Sequence, residues 1–176
     1  MNRPVFFYGA ISLDGYLADA NDQLDWLLTS DLNGVETFSE FDQQIDTLVM
    51  GRITYDWTLQ ATDNAPLYPN KEKFILTHQP KKVTPPKTHF VAQPVVDLIT
   101  SLKAKSGKGI WIVGGGQIVT TLLAENLIDA LWVQIVPVLL GSGKPLFPSG
   151  NYQQRFTVVD RTAMGELTEL HLKRNV

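Results

Sequence analysis

The stretch Ile110-Trp111-Ile112-Val113-Gly114-Gly115-Gly116-Gln117-Ile118-Val119 decides the fold. Its first four residues are apolar and mostly β-branched or aromatic, the signature of a buried strand. Three glycines then punctuate the chain. Beyond them Ile118, Val119, Leu122 and Leu123 form one apolar stripe at helical spacing. Glycines lack a Cβ, so backbone there can pass close to a ligand and adopt positive φ. A helix that starts directly after them presents free N–H groups and the positive end of its dipole, which suits a pyrophosphate. The spacing is not G-x-G-x-x-G, because Val119 stands where a third glycine would fall, and no P-loop Lys-Ser/Thr follows. A tight strand-to-helix turn is the competing reading. Triple glycine is more permissive than a turn alone requires, which favours phosphate or dinucleotide contact.

Strands and helices alternate outward from this turn, which predicts an α/β domain spanning 1–176. Val5–Ser12, Thr47–Met50, Lys73–Thr77, His89–Val91 and Leu131–Val138 read as strands, with Pro137 marking a bulge or strand end. Helical spacing appears at Val35, Phe38, Phe41 and Ile45, with Asp31 or Asn33 as N-cap, again over Arg52–Leu59, and at Val95, Leu98, Ile99 and Leu102. Gln79–Lys87, with three prolines, reads as an exposed loop. Phe156–Arg174 reads as a hairpin turning near Met164-Gly165. The expected sheet is mixed and mainly parallel, closed by that antiparallel hairpin.

Composition narrows the function. No cysteine is present among the 176 residues, which excludes thiolate metal sites, disulfides and cysteine nucleophiles. The three histidines have no ligand spacing, so no metal site is expected. A net charge of −3 disfavours nucleic acid. The small basic groups, Lys71 with Lys73, Lys81 with Lys82, Lys103 to Lys108, and Lys173 with Arg174, read as solvated faces or loops. The longest apolar stretch, 130–140, is far below the ~20 residues of a membrane span. A cytoplasmic location is expected, with no membrane contact.

Two further segments carry chemistry. Met50-Gly51-Arg52-Ile53-Thr54-Tyr55-Asp56 again joins a strand to a helix. Arg52 offers a planar, permanently charged fork for a phosphate monoester, and Thr54 adds a hydroxyl. Ligands in open α/β sheets bind at the carboxyl ends of strands, where both this segment and the glycine turn lie. An Arg beside a pyrophosphate turn points to NADP(H) over NAD(H). The other segment, Ala10-Ile11-Ser12-Leu13-Asp14-Gly15, runs from a strand into a polar turn. Asp14-Gly15 is an ordinary turn signal; in the functional reading Ser12 and Asp14 face the substrate or nicotinamide edge. Asp25-Trp26 pairs a carboxylate with an aromatic that could bind a heterocycle, against a plain exposed turn acid.

These motifs in this order resemble the dihydrofolate reductase-like fold, in the branch containing the reductase (RibD C-terminal) domain of bacterial riboflavin biosynthesis. The likeness rests on Ser12-Leu13-Asp14-Gly15, Met50-Gly51-Arg52-Ile53-Thr54-Tyr55, Val113-Gly114-Gly115-Gly116 and Pro137 through Phe147, and so spans nearly the whole chain. The resemblance implies a three-layer fold, hydride transfer from NADPH to a small-molecule substrate, and a homodimer. It places Gly51, Arg52 and Thr54 at the 2′-phosphate side of the cofactor. Val113, Gly114, Gly115, Gly116, Gln117 and Ile118 fall at the pyrophosphate, with Leu76 and Thr77 between. Gly141 and Gly143 fall near substrate, alongside Ser12 and Asp25, and Asp14 positions substrate or a water as the catalytic candidate.

Two differences set the chain apart. No residue clearly matches the first-helix acid that holds the pterin ring in dihydrofolate reductases, and the basic residues do not identify a sugar-phosphate pocket. Without cysteine, zinc-dependent deamination is not expected. The sequence therefore supports an NADPH-dependent reductase of a pterin- or aminopyrimidine-like heterocycle or a carbonyl compound, with a non-catalytic NADP(H)-binding module as the alternative.

Overall fold

The computed structural model describes residues 2–80 and 83–175. The chain runs β1 (Val5–Ser12), β2 (Tyr16–Ala18), α1 (Asp25–Leu28), α2 (Phe38–Asp42), β3 (Ile45–Gly51), α3 (Arg52–Ala61), β4 (Glu72–Leu76) and β5 (Thr88–Val91). It continues through α4 (Val95–Lys103), β6 (Gly109–Gly114), α5 (Gly116–Ala124), β7 (Ala130–Val136), β8 (Lys144–Pro145), β9 (Phe156–Met164) and β10 (Leu167–Arg174).

Eight strands form one sheet in the order β5-β4-β3-β6-β1-β7-β10-β9. The first six are parallel, while β10 runs antiparallel to β7 and to β9. This is the mixed, mainly parallel sheet with a terminal hairpin that the sequence predicts. Because the central strand β6 and its neighbours are covered on both faces, their middles are mostly apolar, while the outer strands β4 and β5 begin with polar residues. On one face Val5, Phe7, Ile110, Ile112, Leu131 and Val133 meet α4 and α5 through Leu98, Ile99, Leu122 and Leu123. On the other, Leu48, Met50, Trp111 and Trp132 meet Phe41 of α2 and Tyr55 of α3. The sheet is therefore the middle of three layers.

A partly buried polar chain crosses the second face, with Glu169 buried within it. Gln134 Nε2 donates to Tyr8 Oη at 2.7 Å and to Glu169 Oε2 at 3.0 Å. Thr37 Oγ1 donates to the same Glu169 oxygen at 2.7 Å and lies 2.9 Å from Tyr8 Oη. With the Thr37 proton on Glu169, the Tyr8 hydroxyl is left to donate to Thr37. Burial pushes the Tyr8 phenol up to about 12. The chain ties Thr37, at the start of α2, to β1, β7 and β10.

Several local expectations change. The stripe Val35–Ile45 is not one helix: α2 covers Phe38–Asp42 from a Thr37 cap, and Ile45 opens β3. Residues at helical spacing were buried by a turn, a short helix and a strand in succession. Asn33 (φ 49) and Asp31 form a turn and cap no helix. Short elements α1, β2 and β8 carry too little periodicity to be read from sequence.

Three of the basic groups are not solvated faces. Lys73 is 3% exposed and donates to the Tyr68 and Lys71 carbonyls, and burial pulls its pKa down. Lys71 holds the Asp42 and Ile45 carbonyls. Lys103 and Arg174 converge on Asp129. All of these stitch the amino ends of the parallel strands. The expected pair Lys81 and Lys82 lies outside the described residues.

Two of the three turn glycines are required by the fold. Gly115 sits at φ 96 as the N-cap of α5, in the region that L side chains rarely adopt. A Cβ on Gly116 would lie 2.1 Å from the Pro145 carbonyl oxygen, so α5 begins pressed against the 145–148 backbone. A Cβ on Gly114 would meet only Thr54, at 3.6 Å. Gly116→Ala should therefore lower the unfolding free energy by about 1–3 kcal/mol, measured from the urea midpoint. Gly114→Ala should leave that midpoint nearly unchanged. A Gly116→Ala midpoint equal to wild type would show that this backbone contact constrains nothing.

Candidate functional site

Strands β1 and β6 pair for only three residues, Val5–Phe7 with Ile110–Ile112, whereas β1 pairs with β7 over seven. Beyond Phe7 and Ile112 the two strands part toward their carboxyl ends. A cleft of about 720 Å³ opens there over the second face of the sheet, where open α/β sheets take ligands. Ala10 and Val113 form its floor, and the glycine turn closes one end. Helix α3 supplies one wall through Ile53, Thr54, Trp57 and Thr58. Leu17 and Ala18 of β2, with Asp22, Leu24 and Leu27, supply the other. Lys144, Pro145 and Pro148 complete the rim.

Two short strands hold that rim. β2 pairs with β8, Tyr16 opposite Pro145 and Ala18 opposite Lys144. Gly143 passes so close to β2 that a Cβ would lie 2.2 Å from the Ala18 carbonyl oxygen. Asp14 clasps the next loop: its carboxylate accepts from Ser12 Oγ at 2.6 Å, from Leu140 N–H at 3.1 Å and from Gly141 N–H at 2.7 Å. These donors, the Ser12 hydroxyl first, hold the Asp14 carboxyl below its ordinary value. Ser12 is fully buried and accepts from the Tyr16 N–H at 2.9 Å.

The structure brings together Thr54, Val113, Gly114, Gly115, Gly116, Gln117 and Ile118 on the cleft. It sets the other candidates elsewhere. Asp14 and Ser12 do not line the cleft; their polar atoms are used in fastening the 12–16 turn to the 138–143 loop. Gly141 donates its N–H to Asp14 and Gly143 packs on Ala18, so both serve loop geometry. Asp25 is exposed on α1, while Trp26 packs on Val136, Met164 and Leu167. Leu76 packs into the first face, and the Thr77 hydroxyl accepts from the Gln79 N–H. Gly51 caps α3, with a would-be Cβ 3.6 Å from Ile118. Arg52 stands beside the cleft, its Nε on Asp56 at 2.7 Å and its guanidinium 5.5 Å above the Phe90 ring.

Sequence reading missed Trp57, Thr58, Asp22 and Lys144. The first two were within reach, since they follow Thr54 by three and four residues and share its helix face. Asp22 had no such signal: it reaches the cleft because the Asp19 carboxylate ties the Asn21 and Gln23 N–H groups into a tight turn, with Asp22 itself at φ 62.

The Asp14 clasp has a pH signature. A carboxyl held below its ordinary value stabilises the fold above that value and is lost as pH falls through its folded pKa. The Leu140 and Gly141 amides should keep their hydrogen-exchange protection down to the ordinary value of 3.8 and lose it only below. In Asp14→Asn they should exchange faster than in wild type at pH above 3.8, and the two proteins should converge as wild-type Asp14 protonates. Unchanged protection in that variant would remove the clasp.

The chain is 31% identical to the uncharacterized protein YwjB of Bacillus subtilis, over 99% of both chains. It is 33% identical to YyaP of the same organism, over 78% of this chain and 77% of that one. Among solved structures it is similar to a putative riboflavin biosynthesis protein from Shewanella sp. PV-4, with TM-score 0.84, 32% identity and full coverage of both chains. It shares its fold with a Thermotoga maritima diaminohydroxyphosphoribosylaminopyrimidine deaminase/5-amino-6-(5-phosphoribosylamino)uracil reductase, at TM-score 0.69 and 13% identity, spanning 57% of that longer chain. The model of the RibD C-terminal domain matches residues 3–170, and the chain belongs to that family.

Proposed function

We propose that this protein is an NADPH-dependent reductase of a small heterocyclic (pterin- or aminopyrimidine-like) or carbonyl substrate. One observation carries the reading: the open carboxyl ends of β1 and β6 face the start of α5 across a turn without side chains. Gly114 and Gly115 leave backbone bare on the cleft, and the first N–H groups of α5, at Gly116 and Gln117, have no helical carbonyl before them to accept their protons. That cradle fits a diphosphate. Thr54 and Gln117 stand beside it, and Arg52 lies one residue outside the lining.

In this reading α5 and the glycines bind the diphosphate, and Arg52 meets the 2′-phosphate with the guanidinium edge that Asp56 does not use. The apolar walls, Trp57 among them, orient the flat ring and exclude water. Bound there, NADPH would supply a hydride to an electrophilic carbon of a C=N or C=O bond, and the substrate heteroatom would take its proton from solvent at the open rim of the cleft. Membership of the family and the reductase named among its fold relatives support this reading.

Two variants test it. Gly114→Ala should weaken NADPH binding about tenfold, because the new methyl occupies cleft backbone while costing little stability. Arg52→Ala should weaken NADPH by about ten- to a hundredfold, the worth of a charge-assisted hydrogen bond, and NADH much less. Both are read by tryptophan fluorescence titration. Equal losses for the two cofactors would remove Arg52 from the 2′-phosphate. Cofactor binding without NADPH oxidation across pterins and aminopyrimidines would favour a binding module.

A further inference from the structure

Resting on that reading, we infer that the substrate carries no phosphate ester and is an uncharged planar ring with a hydrogen-bond donor directed at Asp22. The wall opposite α3 holds one acid and one base, Asp22 and Lys144, whose Oδ1 and Nζ lie 3.9 Å apart. Among the described residues Lys144 is the single cation lining the cleft, and Asp22 the single anion. The pair cancels. The remaining lining on that side, Leu17, Leu24, Leu27 and Pro145, is apolar.

A phosphate monoester brings about 1.5 to 2 negative charges near neutral pH. Placed here it would meet a carboxylate beside the one lysine, both more than half exposed on the rim, and otherwise an apolar wall that offers it no hydrogen-bond donor. Among the described residues, Arg52 beside the cleft is held by Asp56, and the other well-anchored lysines and arginines are committed at the opposite end of the sheet. Arg3 is paired with Asp46, Lys71 with Asp42, and Lys103 and Arg174 with Asp129. The cofactor's own phosphates are met at the far end of the cleft by α5.

Asp22 is placed to select. It lies on the rim in a left-handed backbone conformation that Asp and Asn tolerate better than most residues. Its carboxylate accepts but cannot donate, so it favours amino or imino N–H groups on a ring edge. Trp57 across the cleft offers a flat apolar surface to the same ring.

The test compares 5-amino-6-(5-phosphoribosylamino)uracil with its dephosphorylated riboside, each titrated calorimetrically into the protein saturated with NADP+. The dephosphorylated compound should bind at least about tenfold tighter. Asp22→Asn, which keeps the left-handed turn, should weaken it by about tenfold or more, with an unchanged melting temperature. Lys144→Ala should alter its affinity less than about twofold. Equal or tighter binding of the phosphorylated compound, a loss confined to Lys144→Ala, or binding of neither compound would each overturn the inference. Saturation with NADP+ is established first, so failure of the cofactor reading shows as an absent NADP+ titration and is separate from these outcomes.

Discussion

Strands β1 and β6 hold together for three residue pairs and then separate, and the site depends on that separation. Two parallel strands that stayed paired to their ends would leave no space between Ala10 and Val113. The split is kept open from both sides. β1 follows β7 for its full length, while β6 follows β3 and shifts register between Val49 and Met50. The chain leaving β6 must then turn at once into α5, and Gly115 and Gly116 allow the turn and the approach to the 145–148 backbone. One geometric constraint thus produces the cleft, its bare floor and the helix start that closes it.

Charge is distributed along the same axis. At the amino ends of the parallel strands, lysines and arginines are drawn onto Asp42, Asp46, Asp129 and backbone carbonyls, where they fasten loops to the sheet. At the carboxyl ends the cleft is apolar, apart from hydroxyls, Gln117 and the opposed pair Asp22 and Lys144. The sheet-fastening ion pairs of Arg3, Lys71, Lys103 and Arg174 and the cleft therefore lie at opposite ends. The weak net charge of −3 reveals nothing of this arrangement, because it sums over both ends.

The loops around the cleft are held by polar atoms that look catalytic in one dimension. Ser12 and Asp14 form a compact hydroxyl–carboxylate motif at a strand end, which is where a substrate group is commonly met. In three dimensions that motif spends its hydrogen bonds on Tyr16, Leu140 and Gly141. The acid that does reach the cleft, Asp22, lies eight residues later in a turn of no evident chemistry. Short-range sequence shows which residues can donate and accept; it does not show which of them a turn will consume.

The sequence by itself determined the long elements. The strands at 5–12 and 110–113 and the helices after Gly51 and the glycine turn were legible because burial on two faces demands unbroken apolar runs and helical stripes, and the closing hairpin was legible from its alternation about Met164-Gly165. It also determined that the glycine turn lies at the end of the sheet where the cleft opens, since a strand-to-helix turn falls at a strand's carboxyl end. Only the tertiary structure decided that Val35–Ile45 divides between a turn, a helix and a strand, that Lys73 is buried, and that Asp22, Trp57 and Lys144 share one cleft with Thr54. The physical reason is the range of the interaction. Backbone propensity and apolar periodicity act within a few residues, whereas side chains far apart in the chain meet only once the sheet has set their positions.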